Sequence, residues 1–154
     1  MRFFILLCAI MAWSVPARSE VYDKDFRLSK VANVKVELID EATGACWTNL
    51  KEVREYAEEK LRMKGAKVVS DRTYSAYAPL NTYTLEIGVF GQRAYKNNSG
   101  PCIASVLINL YTFSKINGLI HKSDMSNFGA YAAETENLNR GIIENISLFF
   151  ADLK

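Results

Sequence analysis

Any fold of this chain has to bring Cys46 and Cys102 together, and the reason lies at the start of the sequence. Phe3–Trp13 is an unbroken apolar run with Arg2 before it. Small residues follow at Val15-Pro16-Ala17 and Ala17-Arg18-Ser19. This is the pattern of a cleaved export signal over residues 1–19, with cleavage after Ala17 or Ser19. The run is too short to span a bilayer, which takes ~20 apolar residues. Cys8 leaves with it. That cysteine is not a lipoprotein signal, because Leu7 precedes it and too little apolar sequence lies before it. Two cysteines remain in a chain bound for the periplasm or the exterior, where pairing is the rule. Neither stands in a C-x-x-C pair, and no histidine is near either in sequence. A structural bridge is therefore expected rather than a reactive thiol. By chain entropy it contributes roughly 4 kcal/mol.

Removing the signal also changes the charge. The chain holds 19 Lys and Arg against 17 Asp and Glu, but Arg2 and Arg18 belong to the signal and every acid follows it. From Glu20 onward the chain is formally neutral. Nucleic-acid binding needs clustered positive charge, so no nucleic-acid partner is expected. Residues 20–154, ~135 in number, suit a single domain with its own core.

The periodicities give its elements. Val21 to Lys30 is mixed and charged and reads as a loose lead-in. Val34, Val36 and Leu38 alternate with Lys35 and Glu37, a half-buried strand that Asp40-Glu41-Ala42-Thr43-Gly44 breaks. A helix is expected over 49–64, with a capping box Asn49-x-x-Glu52, Thr48 as a rival cap, and an apolar face of Leu50, Val53, Ala57 and Leu61. Gly65 suits a left-handed C-cap. Lys60, Arg62, Lys64 and Lys67 crowd that end, where cations complement the helix dipole.

Val68-Val69 reads as a short strand and Asp71 to Asn81 as a connection. Tyr83 to about Ala94 alternates as a strand. Cys102 to Phe113 is the most apolar strand, and Leu119-Ile120-His121 opens a third after the turn Ile116-Asn117-Gly118. Ser126 to Ala133 fits either the end of that strand or a loop. A last helix over 137–153 carries the stripe Leu138, Ile142, Ile146, Phe149 and Leu153. The expected fold is α+β: a two-layer sandwich of a mostly antiparallel sheet of four to five strands with two helices on one face.

Little chemistry is visible. His121 is the single histidine, so any Ser-His-Asp or Cys-His site must use it, and no nucleophile motif accompanies it. No ligand spacing for zinc, no EF-hand loop and no Gly-rich phosphate loop occurs. No catalytic, metal or cofactor-binding residue is assigned, and no cofactor is expected. A glycosidase-like carboxylate pair converges only in space, and nothing selects two of the 17 acids. Of the 8 tyrosines, Tyr74, Tyr77, Tyr95 and Tyr131 fall in expected loops or strand ends, where Tyr serves either recognition or the rim of the core. Asn97-Asn98-Ser99 and Asn145-Ile146-Ser147 match the glycosylation pattern, which is common by chance.

The stretch Gly44-Ala45-Cys46-Trp47-Thr48-Asn49-Leu50, the helix ending Lys64-Gly65-Ala66-Lys67-Val68-Val69, the strand Tyr83-Thr84-Leu85-Glu86-Ile87 and Cys102 at a strand start together resemble small exported proteobacterial proteins of no assigned activity. The layout is also similar to α+β envelope-assembly modules, namely the N-terminal domain of the Tol-Pal propeller protein and the lipopolysaccharide-assembly lipoproteins. The resemblance implies an envelope setting and carries over no functional residue. It does not extend to a lipid anchor, because the cleavage site lacks a cysteine. The expectation is an exported, non-enzymatic module that binds a partner protein or an envelope component, with no stable membrane insertion of the mature chain. A secreted enzyme inhibitor, of a lysozyme for example, is the alternative, with Arg93 to Gly100 as its contact loop. A small hydrolase using His121 is a third.

Overall fold

The structure, a computed structural model, describes residues 20–21, 27–30, 33–69, 82–95 and 100–153. The expected signal, Asp71 to Asn81, Tyr74, Tyr77 and Asn97-Asn98-Ser99 lie outside the described residues. The elements run β1 (Glu20–Val21), a 3-10 turn (Leu28–Lys30), β2 (Asn33–Ala42), α1 (Leu50–Met63), β3 (Thr82–Arg93), β4 (Cys102–Ile116), β5 (Leu119–Glu134) and α2 (Asn139–Asp152). The strands form one sheet in the order β1-β5-β4-β3-β2. The protein has the expected α+β fold.

The sheet is mixed. β3–β4, β4–β5 and β1–β5 pair antiparallel, whereas β2 pairs parallel to β3 over ten register positions from Asn33↔Thr82 to Ala42↔Gly91. A parallel neighbour follows from the connection. Two strands that run the same way need a crossover, and α1 lies in it. β4 is central in sequence pattern and in space. Cys102, Ala104, Val106, Ile108 and Leu110 are buried on its helix-facing side. Val34 and Val36 from β2, Leu85, Ile87 and Val89 from β3, and Phe128 and Ala132 from β5 continue that layer. Val53, Ala57 and Leu61 of α1 and Ile142, Ile146, Phe149 and Phe150 of α2 close over it.

Several local expectations are corrected. The lead-in is not loose throughout: Glu20 and Val21 pair with Asn127 and Ser126, and Leu28 is fully buried in the core. The acidic stretch after Leu38 does not break β2, which runs on to Ala42 because β3 supplies a ladder partner for each residue. Val68-Val69 shrinks to a single parallel bridge, Val34↔Val68, on the outer edge of β2. Ser126 to Ala133 is strand, paired along β4. The capping box does not form. The Asn49 amide donates to the Glu52 carboxylate at 2.9 Å instead of the two side chains reaching backbone N–H groups. Thr48 is taken by α2: its N–H donates to Asn139 Oδ1, and Asn139 Nδ2 donates to Thr48 Oγ1. The two helix starts are thereby fastened to each other.

At the far end of α1, Gly65 takes φ +86, the left-handed cap expected there. The basic cluster beside it is engaged locally. Lys60 lies over the Tyr56 ring, Arg62 pairs with Glu58, and Lys64 donates to the carbonyl of Leu153.

Leu28 tests this arrangement sharply, since its segment lacks any periodic signal. Leu28→Ala should cost about 2–4 kcal/mol in a urea or guanidinium titration, the range of a buried leucine truncation.

Candidate functional site

Strand alternation sends half of each strand's side chains away from the helices. Among the described residues no helix covers that second face. The register sorts it into rows across β2, β3, β4 and β5. One row is Glu37–Glu86–Asn109–Asn127, the next Ile39–Gly88–Leu107–Gly129, and the next Glu41–Phe90–Ser105–Tyr131. The face is therefore divided. Towards the β4–β5 turn it is polar, and towards the opposite end it is apolar and shallow.

The polar half is internally satisfied. Asn109 Nδ2 donates to Glu86 Oε1 at 3.2 Å, and the Tyr111 hydroxyl donates to Glu86 Oε2 at 3.4 Å. Lys35 pairs with Glu37 at 3.2 Å. Burial, then the charges of Glu86 and Glu37, push the Tyr111 phenol up to about 12. Lys122 caps the same ring from the other side, 4.0 Å from its centroid, and Phe113 meets it edge-on.

The apolar half is open. Leu107 sits between Gly88 and Gly129 and is 41% exposed, and the Phe90 ring lies against Gly88, where a Cβ would come within 2.8 Å of it. Phe90, Ile103 and Leu107 are exposed, and Tyr131 is 88% exposed. A shallow trough runs beside them, lined by Glu41, Phe90, Gln92, Ile103, Ser105 and Tyr131. Tyr131 thus lies within β5 on the open face of the sheet, and sequence alone did not tell strand from loop there. Tyr95 is exposed at the end of the β3 segment.

The bridge between Cys46 and Cys102 is formed, with Cα atoms 5.5 Å apart and both residues fully buried. Beside it, Arg93 is the register partner of Cys102. Its guanidinium donates to three backbone carbonyls: Nε to Gly44 at 2.9 Å, Nη1 to Gly100 at 2.8 Å and Nη2 to Glu136 at 2.7 Å. One side chain thus joins the turn after β2, the β3–β4 connection and the approach to α2. Arg93, the first residue of the loop expected to carry inhibitory contacts, instead ends β3 with its guanidinium on these three carbonyls. It faces into the protein because three carbonyls there need a donor. Lys96 to Ser99 lie outside the described residues.

His121 stands exposed in β5, opposite Ser114, and no hydrogen bond joins the two among the described residues. Ser114 is nine positions along β4 from Ser105 of the trough, roughly 30 Å at strand spacing. The trough and the histidine do not meet. No group of three His, Cys, Asp or Glu residues among those described could hold a metal ion. No helix among them is long and apolar enough to cross a membrane. Asn145 is committed within α2, donating to the Gly141 carbonyl at 2.9 Å.

No protein-family model matches this chain, and no curated protein does. Among solved structures the fold is similar to PelC from Paraburkholderia phytofirmans, a dodecamer, at 13% identity over 90% of this chain and 98% of that one, with a TM-score of 0.55. A single-substitution variant of that PelC, also a dodecamer, aligns at 14% identity over 89% and 97% with the same TM-score of 0.55. At identity this low, the likeness shows a shared fold alone.

Two tests follow from this geometry. Arg93→Ala should lose roughly 2–3 kcal/mol of stability, because a charged donor leaves three carbonyls, and Arg93→Lys should recover only part of it, since an ammonium lacks the planar fork. Chemical denaturation of the three forms measures this. The second concerns pH. The folded Tyr111 phenol titrates above its ordinary 10.0, at about 12. The unfolded chain therefore releases that proton first. The stability contributed by the neutral phenol is complete below pH 10 and is lost as pH rises through 12. Tyrosinate absorbance should show a late-titrating tyrosine that vanishes in Tyr111→Phe, and the same variant should flatten the loss of stability across that window.

Proposed function

We propose that this protein is an exported, non-enzymatic module that works by contact with a partner protein or envelope component, using the open face of its sheet. The observation that carries this reading is the apolar half of that face. Phe90, Ile103, Leu107 and Tyr131 stand in solvent on a rigid, disulfide-closed scaffold. Exposed contiguous apolar surface of this kind marks interaction sites in soluble proteins. Tyr supplies much contact area at little conformational cost, and two flanking glycines leave Leu107 accessible to a flat partner.

A further copy of the chain is the first partner in this reading. The fold is shared with a protein that assembles as a dodecamer, and a sheet with one covered and one bare face gives a copy somewhere to pack. The signal-like start of the sequence supports export. A non-enzymatic role is supported by the separation of His121 from the trough and by the inward commitment of Glu86, Asn109 and Tyr111 to one another.

Light scattering and native mass spectrometry of the chain from Glu20 onward test the reading. The expected result is an integral multiple of the chain mass. Leu107→Asp with Tyr131→Asp should reduce it to a monomer with an unchanged far-ultraviolet dichroism spectrum and an unfolding midpoint that no longer depends on concentration. A wild-type chain that stays monomeric at its highest soluble concentration removes the self-assembly reading. An assembly indifferent to both substitutions removes the open face as its contact.

A further inference from the structure

The β4–β5 hairpin reaches past the rest of the sheet. On this side the β3 ladder ends at Tyr83↔Thr112, while β4 and β5 remain paired out to Ile116↔Leu119. From Phe113↔Lys122 to that last pair the ribbon projects about 10 Å at strand spacing. Asn117 and Gly118 close it with φ 52 and 84, the two positive values of a type I′ turn, whose twist matches that of the strands. The projection is well ordered by sequence, because Asn-Gly is the dipeptide this turn favours.

Its side chains are arranged in tiers. At the tip, Ile116, Leu119 and Ile120 are 54%, 66% and 65% exposed. They are on both faces of the ribbon, since Ile116 is opposite Leu119 and Ile120 opposite Lys115. Lys115 is level with Ile120, and the next pair back is Ser114 with His121. Phe113 and Lys122 form the pair after that, and the Tyr111 ring stands behind them with Lys122 over it. No Asp or Glu occurs from Phe113 through Ser123. The first acid is Asp124, which already pairs with Lys122 at 3.4 Å.

We propose that this hairpin is a shallow anchor for an anionic lipid bilayer surface: Ile116, Leu119 and Ile120 enter the interface, and Lys115 faces the lipid phosphates. The order of tiers is the argument. A flat protein partner desolvates one face of a ribbon, whereas a bilayer interface surrounds a tip with large apolar side chains on both faces and desolvates both. The apolar tip, Lys115 at its margin and the aromatic rings at its base match the polarity gradient from acyl chains through headgroups to water. The absence of acids from the tip removes the repulsion an anionic surface would impose. Depth is limited by the backbone. The outer edges of a two-stranded ribbon carry unpaired N–H and C=O groups, which hydrocarbon does not tolerate, so the contact is peripheral and spans nothing. This surface lies at the end of the sheet away from the Leu107–Tyr131 rows, and the proposal goes beyond the contact function assigned to that face.

Flotation of the chain from Glu20 onward with vesicles of phosphatidylethanolamine and phosphatidylglycerol, against vesicles of phosphatidylcholine alone, tests it. The wild type should float with the anionic vesicles and not with the neutral ones. Leu119→Asp with Ile120→Asp should abolish flotation, and Lys115→Gln should weaken it by roughly fivefold, the scale of one charge near an anionic surface. A near-ultraviolet dichroism spectrum identical to wild type confirms that these exposed positions leave the core intact. As a second readout, Ile120→Trp should show a blue-shifted emission on the anionic vesicles alone. Absence of wild-type flotation overturns the proposal, as does equal flotation of the doubly acidic variant. If that variant instead changes the oligomeric mass while flotation is absent in both, the tip is a protein contact and the lipid assignment fails. The variants Leu107→Asp and Tyr131→Asp leave the tip untouched, so failure of the open-face reading is read separately from failure of this one.

Discussion

The closure at one end of the sheet holds the rest in place. Cys102 begins the central strand, Cys46 precedes α1, and Arg93 stands opposite Cys102 with its guanidinium on three carbonyls. The bridge limits the unfolded chain, by about 4 kcal/mol in chain-entropy terms. The arginine acts on the folded state. It satisfies carbonyls at chain reversals, where no ladder partner exists and an unmet acceptor is costly. Near the same place, the Leu138 N–H donates to the Cys46 carbonyl at 2.7 Å, and Asn139 holds Thr48. Both helices are thereby started from the same fixed corner, which sets the side of the sheet they cover.

Because both helices leave from that corner to one side, the sandwich is one-sided. The covered face takes the aliphatic half of every strand. The bare face takes the other half and must meet water, a partner, or both. Its two halves resolve this differently. Around Glu86, polar groups bond to one another and leave little for a partner to use. Around Leu107, glycines replace side chains and leave apolar surface standing. The projecting hairpin is a separate consequence of length, since β4 and β5 are longer than β3 and extend beyond it.

Much of the fold was legible because it is written in local periodicity. Val53, Ala57 and Leu61 repeat at helical spacing, Tyr83 to Val89 alternates, and Asn117-Gly118 names its own turn. What was not legible depends on partners distant in sequence. Asp40-Glu41-Ala42 has poor strand character, yet it is strand because β3 lies beside it. Leu28 has no periodic neighbours, yet it is core. Asn49-x-x-Glu52 has the composition of a capping box, but Thr48 is engaged by Asn139, and Asn49 and Glu52 bond to each other. Ser126 to Ala133 alternates weakly because Gly129 and three alanines dilute the pattern, and only the ladder to β4 makes it strand. Of the candidate site, the exposure of Tyr131 and Leu107 could not be read, since alternation tells which residues share a face and not which face the helices take.

The sequence by itself determined the pair of cysteines available to one another, the two amphipathic helices, the antiparallel meander and its type I′ turn. Each is set by spacing within a few residues or by cysteine chemistry. Only the tertiary structure decided that β2 lies parallel to β3, that Arg93 closes three loops beside the Cys46–Cys102 bridge, and that, among the described residues, no helix covers one face of the sheet. Those outcomes depend on how a crossover helix returns the chain and on which carbonyls end up without a partner. No local pattern encodes either.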